Sequence, residues 1–418
     1  MRKVYIETNG CAVLRHETQR YAKFFRENGF VETISPDNAE FVLMTTCGVV
    51  NWTEDKAIEA LERLVQTSRK DAKILVGGCL PKINPERIKK ISNKLVMFGP
   101  KEPYILNDLI DAKIGIEKIS YTDGATREHS FGDPEIEYTP AELEQLKISK
   151  KLDQVFGTKR FLEIYDYLTK GRHFWKEENL LEIKVSSGCA KNCTYCATKF
   201  AIGSLVSENP EKIVSEVKEG LERGFKKIVL LGDEVGYYGA DIGTNLISLI
   251  DSLDKLPGEP RIALRYVDPD ALIKNFENLK KHFESGRIYY LCSAFQSGSH
   301  KILSLMNRTQ NMNRFTEVFS EIDRDYPAVF KHTQLIVGFP QETEEDFKQT
   351  INVLDKSNFD YITATAYRDR SNTKSSQLPD HIEESIINER YQRMTEIVQK
   401  NRETQLRRRI RRELASRD

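Results

Sequence analysis

The sequence predicts an α/β chain in two parts: a parallel sheet layered with helices, followed by a partial (β/α)6 barrel. Short β-branched runs alternate with helical patterns from the first residues, and the alternation resumes near Leu180. Both stretches end their strands in small-residue turns, and six of the seven cysteines fall on those turns.

The first part covers residues 1–104. Val4–Glu7, Phe41–Thr45 and Lys73–Val76 read as strands, and Glu17–Asn28, Thr53–Arg69 and Glu86–Ser92 as helices. Strand–turn–helix repeats imply a parallel sheet covered on both faces, a flavodoxin-like layer. Cys11, Cys47 and Cys79 each follow one of the strands, in Asn9-Gly10-Cys11, Thr45-Thr46-Cys47 and Gly77-Gly78-Cys79. The C-terminal edge of an open parallel sheet is where ligands bind, so the three cysteines are expected to meet in space. Taken singly, each reads as a buried small hydrophobe. Their repetition at one edge argues for a shared ligand.

Residues 105–178 are less regular. Pro, Gly, Asp and Glu cluster over Thr122–Pro140, a helical pattern follows, and Phe156, Phe161, Tyr165, Tyr167, Phe174 and Trp175 make the segment aromatic. It reads equally as a linker with a docked helix or as a substrate-recognition insertion.

Residues 179–380 supply the barrel. Its expected strands are Leu181–Val185, Lys227–Leu231, Arg261–Arg265, Ile288–Cys292, His332–Val337 and Tyr361–Ala366, with active groups on the loops that follow them. Residues 381–418 form a closing helix with a basic end: eight Lys or Arg lie between Lys400 and Arg417, against Glu403 and Glu413. Such an end complements its own helix dipole or meets an acidic partner.

Bulk composition narrows the class. In 418 residues, 63 Lys and Arg balance 63 Asp and Glu, so no global field selects a polyanion. No run approaches the roughly 18 apolar residues of a membrane span, and Met1–Ile6 enters a strand without a signal-peptide pattern. An odd number of cysteines at ligand spacing fits reduced thiols in a cytoplasm.

The tightest motif is Cys189-x-x-x-Cys193-x-x-Cys196, on the loop after the first barrel strand. Structural zinc takes four ligands, and no histidine lies nearby to complete a set. Three thiolates instead hold one 4Fe–4S cubane and leave its fourth iron open. An open iron chelates the amino and carboxylate groups of S-adenosylmethionine, and one electron then cleaves the sulfonium to a 5′-deoxyadenosyl radical. Cys292, mid-strand and without a partner pattern, reads as core.

Three dispersed N-terminal cysteines followed by this motif resemble the radical S-adenosylmethionine methylthiotransferases. Leu230–Val235 with Tyr238–Asp241, Phe295–Ser299 with Met306-Asn307-Arg308, and Ile336–Phe347 resemble further family segments in the same order. The resemblance implies a radical-enzyme barrel, two 4Fe–4S clusters and S-adenosylmethionine. Cys11, Cys47 and Cys79 are then catalytic as well as metal-binding, holding an auxiliary cluster whose sulfur is methylated and inserted, so that a substrate C–H becomes C–SCH3. It also places cofactor contacts: Gly232 and Glu234 at the methionine moiety, Tyr195 on the adenine, Arg265, Gln296 and Ser297 at ribose or carboxylate, and Val337 and Gly338 at the adenine edge. A flavodoxin- or ferredoxin-like electron donor is an expected partner.

Departures from the family pattern bear on the substrate. The family's Gly-Cys-x-x-Asn stands here as Gly10-Cys11-Ala12-Val13-Leu14, its Asn-Thr-Cys as Thr45-Thr46-Cys47, and its Arg-rich segment as Ala201–Ser207. The chain ends at Asp418, about where the family's C-terminal TRAM RNA-binding module begins, and is expected to lack it. With the aromatic segment added, these favour a peptide or protein substrate over tRNA. A radical peptide thioether cross-linking enzyme and a non-enzymatic metal-binding scaffold are the rival readings.

Overall fold

A computed structural model describes residues 2–119 and 180–415. Strands β1 (Arg2–Thr8), β2 (Phe30–Glu32), β3 (Phe41–Thr46), β4 (Lys73–Gly78) and β5 (Val96–Met97) form one sheet in the order β2-β1-β3-β4-β5, parallel throughout. This is the flavodoxin-like order, whose switch point lies between β1 and β3. Central β3 is buried at every position, which is why Phe-Val-Leu-Met-Thr-Thr shows no alternation. β2 and β5 were not expected; at three and two residues they are too short to carry a periodic signal.

The first helix, Ala12–Glu27, buries Tyr21, Phe24 and Phe25. Phe25 meets Phe30 edge to face with ring centroids 5.2 Å apart, and Tyr21 meets Phe98 at 5.8 Å. The helix starts before the expected Glu17 because Cys11 is its N-cap and offers no capping hydrogen bond for a sequence pattern to reveal. Leu106, Ile110, Ile116 and Ile119 pack into the same core, so the layer runs through Ile119 rather than stopping at Tyr104. The aromatic segment from Phe156 to Trp175 lies outside the described residues.

The second sheet contains β6 (Leu180–Lys184), β9 (Lys227–Leu231), β10 (Arg261–Leu264), β11 (Ile288–Cys292), β12 (Phe330–Val337) and β13 (Tyr361–Ala366), all parallel and adjacent in chain order. This is the partial (β/α)6 barrel expected. Short β7 (Ser186–Ser187) and β8 (Val206–Ser207) pair antiparallel across the base of the Cys189–Cys196 loop. Helices on the outer face begin at local caps: Asn209 accepts from the N–H of Glu211 and Lys212, Asp268 from that of Asp270, and Thr343 exchanges a capping box with Asp346.

Inner-face residues Val229, Leu231, Ala263, Tyr290, Cys292 and Phe330 form an apolar cluster that also takes in Ala12 of the first layer. Lys184 of β6 pairs with Glu17 on the same helix, so the first layer leans against the barrel interior. The closing helix Glu384–Ala415 lies along β13 and β12; Asn401 donates to the Phe359 carbonyl at 2.8 Å, and Arg390 pairs with buried Glu342 at 3.0 Å. No helix among the described residues is long and apolar enough to cross a membrane.

Deep in the barrel, His332 shares one ring nitrogen with the Tyr290 hydroxyl at 2.6 Å and the other with Thr363 at 3.0 Å. Burial pulls its pKa down to about 3, so the folded protein keeps it neutral while the unfolded chain protonates it near 6.5. Its contribution is therefore full above pH 6.5 and is lost as pH falls toward 3. Urea melts of the metal-free protein should show the advantage of wild type over His332→Gln shrinking by about 1 kcal/mol per pH unit below 6.5.

Candidate active site

Two sets of thiols open onto one mouth. In the first layer, Cys11 and Cys47 follow β1 and β3, flanking the switch point, and Cys79 follows β4. Asn9 ties two of these turns together: its side-chain carbonyl accepts the Cys47 N–H at 2.9 Å, and its amide donates to the Thr53 carbonyl at 2.7 Å. The Cys79 N–H donates to the Thr46 carbonyl at 2.9 Å. Cys11 is exposed, Cys47 buried and Cys79 half-buried.

In the barrel, Cys189, Cys193 and Cys196 occupy the loop after β7 and are all half-buried. Gly188 takes a φ of +74°, and a Cβ there would lie 2.0 Å from the Ser204 carbonyl oxygen, so the turn into the loop admits only glycine. The Gly188 N–H donates to Asp233 at 2.8 Å, and the Lys191 N–H to the Cys189 sulfur at 3.4 Å. A turn at Met306–Arg308 braces the loop from the other side. Thr194 donates its N–H to the Met306 carbonyl at 3.1 Å and its hydroxyl to the Leu305 carbonyl at 2.8 Å, while Asn307 donates to the Asn192 carbonyl at 3.1 Å.

The two sets are neighbours. Cys79 and Cys189 pack against the same cluster of Ile83, Ala197, Ala201 and Ile202. Burial raises the Cys79 thiol well above its ordinary value, and the nearby Cys11, Cys47, Asp233 and Cys196 raise it further. Burial likewise pushes Cys47 up to about 11 and Cys189 up to about 12. None of the cysteines is in a disulfide. Among the described residues, no group of three or more His, Cys, Asp or Glu closes around a single metal ion. Two sets of soft thiol donors alone, each spread around a loop mouth, fit polynuclear iron–sulfur groups in their chemistry.

The other expected site residues are distributed unevenly. A Cβ on Gly232 would meet the buried Ser186 hydroxyl at 2.5 Å, so the β9 turn keeps this space clear. Buried Glu234 accepts from the N–H groups of Gly236, Tyr237 and Asp268 at 2.7, 3.0 and 3.0 Å, and burial raises its pKa to about 7. Its carboxylate thus closes the loops after β9 and β10. The Arg265 guanidinium donates to the Tyr266 hydroxyl at 2.8 Å, and its charge is held up by Tyr266, Tyr290 and Cys11 against the cost of burial.

Gln296 stands at φ +69° and bridges to β12 through its backbone. Ser297 is buried with its hydroxyl 3.4 Å from that of Thr350, facing the helix Glu344–Ser357. Val337 is buried at the end of β12. Gly338 adopts φ +81° under Ile387, and its N–H donates to Glu342 at 3.0 Å. Tyr195 packs with Ile302, Met306, Phe339 and Tyr367.

Sequence patterns missed three charged groups that organise this mouth. Arg308 pairs with buried Asp268 at 2.8 Å and reaches the Cys193 sulfur at 3.6 Å. Lys191 pairs with Asp270 at 2.8 Å. Arg370, after β13, reaches across to the first layer and donates to Asn51 at 2.5 Å, to the Gly48 carbonyl at 2.6 Å and to buried Glu54 at 2.6 Å. The Met306-Asn307-Arg308 run was visible as a motif without a role; Arg370 carried no signal at all.

A thiol-lined partial barrel joined to a flavodoxin-like layer defines an iron–sulfur radical enzyme. Residues 183–354 match the family model of the radical SAM superfamily, and residues 3–99 match that of Uncharacterized protein family UPF0004. A probable threonylcarbamoyladenosine tRNA methylthiotransferase from Pyrococcus horikoshii is 30% identical over 383 residues, 91% of this chain and 80% of that protein. A tRNA-2-methylthio-N(6)-dimethylallyladenosine synthase from Thermoanaerobacter sp. (strain X514) is 27% identical over 405 residues, 95% of this chain and 78% of that one. The chain belongs to the radical SAM methylthiotransferase family, enzymes that use S-adenosylmethionine and 4Fe–4S clusters for sulfur insertion and methylthiolation. Among solved structures, the radical S-adenosylmethionine methyltransferase TsrM from Kitasatospora setae, with cobalamin and a 4Fe–4S cluster bound, shares the fold at a TM-score of 0.54 and 12% identity, covering 90% of this chain and 74% of that one.

Arg370 and Glu54 are both nearly buried, with side chains 10% and 3% exposed; Arg87 also pairs with Glu54 at 2.9 Å, so removing Arg370 costs the charge-assisted bonds to Glu54 and the Gly48 carbonyl without leaving the carboxylate alone. Arg370→Met should lower the unfolding free energy by about 2 kcal/mol, read from urea melts of the metal-free protein.

Proposed function

We propose that this chain installs a methylthio group on an adenosine of tRNA. The observation that carries the reading is the shared mouth of the two thiol sets, with Cys79 and Cys189 packed against one cluster of Ile83, Ala197, Ala201 and Ile202. The substrate class comes from the relatives, whose names specify tRNA adenosines bearing a threonylcarbamoyl or a dimethylallyl group. A peptide or protein substrate, expected from the sequence departures, has no support among them. Trp52 adds a local argument: it is 61% exposed in the first turn of the helix Asn51–Thr67, and its indole, with the Lys56 ammonium 5.2 Å from the ring centroid, suits a stacked base beside a phosphate.

Cys189, Cys193 and Cys196 would hold one cluster and Cys11, Cys47 and Cys79 the other; when bound, these supply the electron for the radical and the sulfur for insertion. Gly232, Arg265, Gln296 and Val337 are proposed to line the S-adenosylmethionine site. Glu234, Ser297 and Gly338 shape the loops around it through their own hydrogen bonds and backbone. Tyr195 forms part of the wall beneath. The apolar inner face formed by Val229, Leu231, Tyr290 and Phe330 keeps water from the reacting centre. The electron enters from an external flavodoxin- or ferredoxin-like donor.

The test is an anaerobic incubation of reconstituted protein with S-adenosylmethionine, dithionite and tRNA carrying either modified adenosine, followed by mass spectrometry of the nucleosides. A mass gain of one methylthio group on one of them is expected. Cys79→Ala should abolish that product while 5′-deoxyadenosine is still formed. A methylthio gain on peptides and none on RNA would overturn the substrate reading.

A further inference from the structure

We infer that Arg308 is a positioning residue that tunes the electron affinity of a cluster held by Cys189, Cys193 and Cys196, by donating a charge-assisted hydrogen bond to the Cys193 sulfur. The inference rests on the cluster assignment above.

Arg308 follows the turn at Asn307, where φ is +54°, after the short helix His300–Leu305. Its side chain is 8% exposed. One terminal nitrogen lies 2.8 Å from Asp268 and 3.6 Å from the Cys193 sulfur, and the other donates to the Ala294 carbonyl. A partner for Asp268 alone would require only a point charge, and Lys191 already stands 3.5 Å from that carboxylate. The planar fork does more, holding a carboxylate, a carbonyl and a ligand sulfur in one fixed arrangement. Its neighbour Asn307 grips the same loop through the Asn192 carbonyl, without charge.

Reduction adds one electron from an external donor and no proton, and the added negative charge spreads onto the thiolate sulfurs. A buried cation against one of those sulfurs stabilises the reduced state more than the oxidised state, which raises the potential. Without Arg308, Asp268 and Asp270 would face the loop with Lys191 as the only cation among these groups.

The full chain carrying Cys11→Ala, Cys47→Ala and Cys79→Ala isolates the barrel cluster. After anaerobic reconstitution, redox titration monitored by electron paramagnetic resonance gives its midpoint. Arg308→Met should move the midpoint to more negative potential. Arg308→Met with Asp268→Leu, which removes both buried charges, should move it the same way by a smaller step. Asn307→Ala should leave it in place. An unchanged midpoint in Arg308 variants that bind iron as the parent does would overturn the inference. So would loss of iron from both Arg308 variants, since the residue would then be scaffold only. A parent that binds no iron would instead overturn the cluster assignment.

Discussion

Thiols gathered from two sheets into one mouth cannot all ionise unless a cation is present. Burial and mutual repulsion push the Cys47, Cys79 and Cys189 thiols up, which favours their protonated forms wherever no cation offsets the cost. Metal binding must then release protons, and its free energy is coupled to closing the loops that carry the donors. The rest of the architecture resolves this conflict by fixing the donor positions mainly with contacts to the backbone of the loops that carry them. Asn9 sets the Cys47 turn through backbone groups, Thr46 receives the Cys79 N–H, and the Met306–Arg308 turn grips Asn192 and Thr194 on either side of Cys193.

The parallel sheets make such a mouth possible. Strand ends in a parallel sheet all face one way, so loops from β1, β3 and β4 converge without long excursions, as do those from β6, β9 and β10. Turning the two edges toward each other is then a docking problem, solved by apolar packing at Ala12 and around Ile83 together with charge. Lys184 meets Glu17, and Arg370 reaches Glu54 and the loop just after Cys47. Buried pairs of this kind add little net stability over apolar packing, but they penalise any arrangement that separates the partners. That is the property a two-cluster mouth requires.

Much of this was legible in the sequence, and what was not has a common cause. Period-two and all-apolar runs located β3, β4 and every barrel strand, and the loop position of the six clustered cysteines followed from them. Edge strands β2 and β5 are too short for a pattern, and the true start of the first helix is hidden because Cys11 caps nothing with its side chain. The roles of Arg308, Asp268 and Arg370 were illegible for a different reason. Each acts on a partner brought close only by tertiary packing, and a lone arginine in a loop is the least informative of sequence signals.

The same distinction bears on the departures from the family motifs, from which a peptide or protein substrate was expected. The loss of Asn from Gly-Cys-x-x-Asn and Asn-Thr-Cys looked like altered surroundings for the first-layer thiols. The structure supplies an equivalent polar frame from other positions. Asn9, two residues before Cys11, spans the Cys47 and Thr53 backbones, and Thr45 bonds Thr18 at 2.7 Å while Thr46 donates to the Gly77 carbonyl at 2.9 Å. Polar support at a buried turn is a requirement of the backbone, which any nearby donor or acceptor with the right geometry can meet. A motif change that is compensated locally carries information about packing and little about substrate. Outward-facing side chains such as Trp52, 61% exposed just beyond Cys47, are free of that backbone requirement.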